Sequence, residues 1–384
     1  MPRRYFDHAA TTPMVLPAIE AMTRELTRLG NPSSLHGSGR AARRVVEESR
    51  EVIAACLGAR PSEVVFTSGG TEADNLAVKG AFWSSPTREK VVTSCIEHPA
   101  VLEPVGWLGE VGADVRTVAV DDTGRIDVAA LAEAVSDSTA VVSIMWGNNE
   151  VGTLQPIAEA VEIAAQHGAV THSDAVQAVG HVPVDFAASG LDLLSLSAHK
   201  LGGPNGIGAL LARRDVALTP VLHGGGQERD IRSGTLDVAA VAGFAAAVEL
   251  ATERLSAEER RLRELRALLI MELIAAVPDA IVHGPVNPAG GLPGIVNVSF
   301  PGCSADALLL LLDAAGIDCS TGSACSAGVA QPSHVLLAMG TGEAEARSSL
   351  RFSLGHTSTA ADIDALAAAL PNAVSRARLA EAVA

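Results

Sequence analysis

From Glu63 onward, short apolar runs alternate with longer stretches in which apolar residues recur every three or four positions. Val64–Phe66, Lys90–Ser94, Val115–Val120, Ala140–Met145, Ala169–His172 and Leu191–Leu196 have strand length and end in Gly, Pro or polar clusters. Ile207–Leu211 reads as a further strand near the same sheet. Helical spacing separates them, around Leu76, Ala77 and Phe82, from about Pro99, near Val128–Val135 and over Pro156–His167. This alternation predicts an α/β fold, a mixed, mostly parallel sheet with helices on both faces. Ahead of it lie two predicted helices, Leu16–Leu29 and about Gly39–Leu57. The second has Ser38 as a candidate cap, Val45, Val46, Ile53 and Leu57 as its stripe, and Gly58 as its stop. After about Arg232 the texture changes. Val238–Leu273 reads as one long helix, followed by strands at Gly294–Phe300 and Leu350–Leu354. Helices are expected around Ala305–Ala314, Val335–Met339 and from Ala360 to the end. The pattern predicts a smaller C-terminal α/β domain joined by the long helix. The expected division is 14–255 for the larger domain, with 1–13 and 256–384 forming the smaller one.

Composition narrows the picture. With 384 residues and 48% hydrophobic content, the chain has ample material for a core. Only 3% is aromatic, so Ala, Val, Leu and Gly must fill it, as suits helices on a parallel sheet. A formal charge of −16 argues against a general surface for nucleic acid. No apolar run has the length of a membrane span, and Met1–Asp7 lacks the apolar stretch of a secretory signal, so a cytoplasmic protein without membrane association is expected. The five cysteines are scattered and form no C-x-x-C pair, which speaks against a disulfide framework or a structural zinc site.

The candidate chemistry clusters where predicted strands end. Lys200, in Ser197-Ala-His-Lys200 before a glycine-rich turn, stands at a strand terminus, where open α/β sheets place their sites. A desolvated lysine there can form a Schiff base with an aldehyde cofactor, although a loop lysine fits equally well by itself. Ser68-Gly-Gly-Thr-Glu72 offers backbone N–H groups at a helix start, suited to a phosphate or a plain cap. Asp174 precedes Lys200 by 26 residues, room for one crossover, and can hold a proton on a pyridine nitrogen, with Gln177 near the ring's phenolic oxygen. His98 can cover a flat ring and move protons. Asn148-Asn149 and Arg351 are candidates for a substrate carboxylate, the arginine through a two-pronged contact. Cys325, in the small-residue run Cys319-Ser-Thr-Gly-Ser-Ala-Cys325, lacks an apolar anchor and reads as a working thiol, whereas Cys56 and Cys303 read as structural. His223-Gly-Gly-Gly has the look of an esterase oxyanion loop, but no G-x-S-x-G elbow accompanies it.

Taken in order, Thr67-Ser-Gly-Gly-Thr-Glu72, Glu97-His98, Asn148-Asn-Glu150, Asp174 with Gln177, Ser197-Ala-His-Lys200, the His223 glycine run, Arg232-Ser-Gly-Thr235 and Gly322-Ser-Ala-Cys325 resemble the cysteine desulfurases of the IscS/NifS type. These belong to the class V aminotransferase group of pyridoxal-phosphate enzymes of fold type I. The resemblance runs from Tyr5 to Gly355. It implies that Lys200 carries pyridoxal 5'-phosphate and that Gly70, Thr71, Ser197 and His199 hold its phosphate, with Thr235 reaching across a homodimer. It further implies that Asp174 and Gln177 hold the ring, that His98 stacks on it and transfers protons, and that Asn149 and Arg351 fix the substrate L-cysteine. Cys325 takes the sulfur as a persulfide and L-alanine leaves. Such enzymes supply iron–sulfur cluster assembly and tRNA thiolation, so the implied partners are an iron–sulfur scaffold, apo-proteins and a tRNA-thiolating enzyme, with Cys325 as a transient cluster ligand. The family loop usually reads Ser-Ser-Gly-Ser-Ala-Cys, and Thr321 replaces its second serine. Many relatives use a tail beyond the last helix for scaffold docking; here little follows that helix, and direct transfer to acceptors is the expectation. A selenocysteine lyase or small-amino-acid transaminase of the same fold, and a non-catalytic sulfur carrier, are the alternatives.

Overall fold

The structure, a computed structural model, describes residues 3–285, 287–322 and 331–382. Seven strands form the large sheet: β1 (Val64–Thr67), β2 (Lys90–Ser94), β3 (Asp114–Val118), β4 (Thr139–Ser143), β5 (Val170–Asp174), β6 (Leu193–Ser197) and β7 (Gly208–Ala212). Their spatial order is β1-β7-β6-β5-β4-β2-β3. The run from β6 to β3 is parallel throughout, while β7 lies antiparallel to both β6 and β1. β1, β4, β6 and β7 are buried along their whole length, which explains why they read as continuous apolar runs. The mixed, mostly parallel sheet is thus as expected.

Boundaries moved where polar side chains proved to belong inside the ladder. β5 extends to Asp174, so that aspartate is the last residue of a strand and not part of the turn after it. The second helix spans Gly37–Cys56, and its cap is His36, whose Nδ1 accepts the Gly39 N–H at 3.2 Å; Ser38 lies inside the first turn. The first helix stops at Leu26, three residues short of the expected end.

A second sheet holds β8 (Ile281–His283), β9 (Ile295–Ser299) and β10 (Ser349–Ser353), antiparallel in the order β10-β9-β8. β8 is too short to leave a periodic signature. The same holds for the two-residue strands Arg4–Tyr5 and Ile317–Asp318, which pair in parallel and fasten the N-terminus to this half.

The long helix spans Val238–Ala276 and serves two separate cores. Its N-terminal part packs Val241 and Phe244 with Ile53, Phe66 and Leu196 of the large sheet's core. Its C-terminal part packs Leu262 and Leu269 with Phe6, Val298, Phe300 and Phe352. Arg50 and Glu228 tie the 223–235 loop to β1. The Glu228 carboxylate accepts from both Arg50 terminal nitrogens, at 2.7 and 2.8 Å, and from the Phe66 N–H at 2.8 Å. Both residues are buried, so neither charge has water as an alternative partner.

Candidate active site

The C-terminal ends of β2, β4, β5 and β6 open into one cavity of about 740 Å³, which also receives residues from the N-terminus and from the β9–β10 half. Gly70, Thr71, His98, Asn149, Asp174, Gln177, Ser197, His199, Lys200 and Arg351, ten of the residues singled out in the sequence, line it together. Thr235 is not among its lining residues, and Cys325 lies outside the described residues.

Each side chain is placed by the element that carries it. Lys200 follows β6 on a short 3₁₀ turn, where its ammonium donates to the carbonyls of Ala9 and Ala10 (2.8 Å for the latter). Burial, reinforced by the Arg351 charge, lowers its pKa to about 8, against the pull of Asp174 and Asp7. Asp174 ends β5, and its Oδ1 accepts the Val176 N–H at 2.9 Å. Burial raises its pKa, while His98 and Lys200 oppose that shift. His98 caps the helix Pro99–Glu110, its Nδ1 accepting the Ala100 N–H at 3.1 Å; burial lowers its pKa, so the ring is a neutral base. His199 is likewise pushed down to about 4, by burial and by Lys200.

Gln177 donates its amide to the Ala9 carbonyl at 2.8 Å, the same oxygen that receives Lys200. Arg351 forms a structural ion pair with Asp7. It sits on β10, donating to Asp7 Oδ1 at 2.8 Å and to the Asn149 carbonyl at 3.0 Å, while its Nε has no partner among the described residues. A two-pronged contact with a carboxylate therefore competes with Asp7 for the same guanidinium.

The sequence reading passed over several residues. Asp74 and Glu150 also line the cavity, the first on the helix Gly70–Trp83 and the second just after Asn149. Both belong to stretches flagged for other residues, and only burial sets them apart. His334, on the cavity wall at the start of the helix His334–Ala338, had no signal at all, since its apolar neighbours give it the look of a helix end. Cys319 packs against the smaller core, and burial drives its thiol up to about 12, which leaves it inert. Cys303 is buried, as expected, and Cys56 is half-buried. Among the described residues no group of three or more His, Cys, Asp or Glu could hold a metal ion, and no helix is long and apolar enough to cross a membrane.

The cavity suits a phosphorylated, flat, aldehyde-bearing group. A Cβ at Gly70 would stand 2.8 Å from Val176 Cγ2, so glycine lets the start of the helix Gly70–Trp83, whose first N–H groups suit an anion, sit close against the turn after β5. Gly208 on β7 lets the Gly69 backbone approach the sheet, since a Cβ there would fall 2.6 Å from the Leu196 carbonyl and 2.7 Å from the Gly69 backbone. A desolvated amine and a buried carboxylate share the space beyond.

Fold and cavity together define a pyridoxal-phosphate enzyme of the type built on a large sheet and a smaller C-terminal half. Residues 4–366 match the aminotransferase class-V family, and the chain belongs to that family, which depends on pyridoxal phosphate. Within it, the relatives are narrower in kind. An IscS-like cysteine desulfurase of Mycobacterium tuberculosis (strain ATCC 25618 / H37Rv) is 56% identical over 381 residues, with 97% of each chain covered. A solved NifS-like protein superposes with a TM-score of 0.91 at 36% identity, over 97% of this chain and all of that one. A structure described as SspA in complex with cysteine superposes at 0.79 with 35% identity, covering 91% of this chain and 98% of the other.

Proposed function

We propose that the chain is a pyridoxal-phosphate-dependent cysteine desulfurase that takes sulfur from L-cysteine, releases L-alanine and keeps the sulfur on Cys325 as a persulfide. The observation that carries this reading is the shared cavity. One desolvated amine, one buried carboxylate and one arginine line the same space. The cofactor, when bound, supplies an electron sink for the bonds of the substrate's α- and β-carbons. Gly70, Thr71, Ser197 and His199 would hold its phosphate, and Thr235 would complete that cup from a second copy in a homodimer.

The chain's own groups do the rest. Asp174 would hold a proton on the ring nitrogen, a charge-paired contact that its burial in a low local dielectric would strengthen. Gln177 would hydrogen-bond the ring's phenolic oxygen. Lys200, with a pKa of about 8, has a neutral fraction near neutrality and is the amine that would hold the cofactor's aldehyde. Arg351 and Asn149 orient the substrate carboxylate. His98, a neutral imidazole capping its helix, is positioned to move a proton at the α-carbon. Sulfur held on Cys325 then passes to acceptor proteins in the cytoplasm: an iron–sulfur scaffold, apo-proteins or a tRNA-thiolating enzyme. Residues 14–255 form the cofactor-binding domain in this reading, and 1–13 with 256–384 the domain that brings the thiol.

The test is Cys325→Ser in the holoenzyme. Alanine formation from cysteine is expected to stop, while the cofactor's absorbance and its change on adding cysteine persist. Undiminished alanine production would remove Cys325 from the reaction.

A further inference from the structure

His334 is a second imidazole on the cavity wall, distinct from His98 and contributed by the smaller half. Its side chain is 38% exposed, so a molecule in the cavity can reach it. Its two nitrogens have different surroundings. Nε2 lies 3.0 Å from the Glu97 carbonyl, an oxygen that can only accept, so Nε2 carries the hydrogen. In the neutral ring Nδ1 is then left as the lone-pair nitrogen. It stands 4.0 Å from Glu150 Oε1, too far to be consumed by a hydrogen bond but close enough for that carboxylate to stabilise a positive ring.

Glu150 is itself held in place. The Ser333 hydroxyl donates to its Oε2 at 2.5 Å, and the carboxyl is 2% exposed. Burial raises its pKa, and a charged His334 would relieve that. The other titratable and charged groups nearby are Glu97, whose Oε1 is engaged by Ser94 and the Met145 N–H, and His98, with Arg351 acting from β10 on both His98 and Glu150.

We infer that His334 is a catalytic proton carrier for the sulfur-transfer half of the reaction, taking a thiol proton at Nδ1 and returning it to the substrate's β-carbon, with Glu150 as its positioning residue. The inference rests on the desulfurase reading above. The S–H bond breaks, its proton goes to Nδ1, and the electron pair stays on sulfur. A new S–S bond forms as the Cβ–S bond breaks, and its electron pair goes to carbon. That carbon then takes the proton from Nδ1 and becomes the methyl group of alanine. Each of the two sulfurs is oxidised by one electron and the β-carbon is reduced by two, so no outside oxidant is needed and no net proton is released. With the Cys325 thiol, the substrate's own S–H hydrogen stays on the outer sulfur of the persulfide; with the substrate's thiol, Cys325 enters as the thiolate and the persulfide forms as its anion, so in either case a single proton passes through Nδ1.

The experiment compares wild-type, His334→Gln and Glu150→Gln holoenzymes across pH, following alanine formation, the cofactor absorbance change on adding cysteine, and the rate of Cys325 alkylation by iodoacetamide without substrate. His334→Gln is expected to lower kcat by about 100-fold and abolish the acid limb of the profile, with the absorbance change intact. Glu150→Gln keeps the Ser333 contact but removes the charge. It is expected to shift that limb to lower pH, because the imidazolium loses its stabilising carboxylate. A change in the pH dependence of alkylation in His334→Gln identifies the thiol as Cys325; an unchanged one, with kcat still lowered, identifies the substrate's. A His334→Gln rate within about threefold of wild type, or a loss of rate with the acid limb unmoved, overturns the inference. Absence of alanine formation in wild type would instead overturn the functional reading.

Discussion

The two walls of the cavity are built in opposite ways. The wall with Asp174, Ser197 and Lys200 is made by neighbouring strands of one sheet, and the Asp174–Ser195 register alone sets the offset between the aspartate and the lysine turn. The wall with Arg351 is assembled from remote pieces. Arg351 meets Asp7 across 344 residues and Asn149 across 202, and His334 meets Glu97 across 237. A ladder of backbone hydrogen bonds positions the first wall, whereas the second depends on how two cores sit on one long helix. The cofactor end should therefore tolerate changes in the smaller half, and the substrate end should not.

Lys200→Ala is the largest blow to the first wall. It is expected to lower turnover by at least about 1,000-fold and to remove the cofactor's covalent absorbance, with the fold intact by circular dichroism. Glu228→Ala strikes the same wall through stability alone. Leaving the buried Arg50 with only Glu47 and the Val64 carbonyl, and the Phe66 N–H without its acceptor, is expected to cost about 3 kcal/mol in denaturant melts of the large sheet. A loss below about 1 kcal/mol would show that the loop holds by other means.

Arg351→Lys addresses the second wall. It keeps the charge but loses the planar fork, so KM for cysteine is expected to rise about 10- to 100-fold. Cofactor affinity, measured by absorbance titration, should stay within about threefold; an equal loss of both would erase the distinction between the walls.

The smallest effect is in pH. Covalent uptake of pyridoxal phosphate by the cofactor-free protein should rise with pH around a midpoint near 8, where Lys200 loses its proton. Between about 8 and 10.5 that lysine is neutral when folded but protonated when unfolded, so the cofactor-free protein also gains stability as pH rises through this window. A midpoint above 10 in stopped-flow absorbance would mean that Lys200 is not desolvated.

Much of the first wall could be read from residue order because parallel strands deliver their C-terminal ends to one rim, wherever the pattern repeats. Gly70, Asp174 and Lys200 each follow an apolar run, and the runs gave the sheet. Asp7, Glu150 and His334 were hidden for the converse reason. Asp7 and His334 lie in stretches of unremarkable polarity, Glu150 beside the flagged Asn148-Asn149, and each gains its role from a partner far along the chain.

What the amino-acid order determined by itself was the kind of fold and the identity of the reactive groups, since periodicity selects strands and helices and side-chain chemistry is local. The tertiary structure alone decided the state of those groups. Burial lowers Lys200 to about 8, Asp7 claims Arg351, and the Glu97 carbonyl chooses the tautomer of His334. Desolvation and partner choice depend on which distant atoms the packing brings within a few ångströms, and no short-range pattern encodes that.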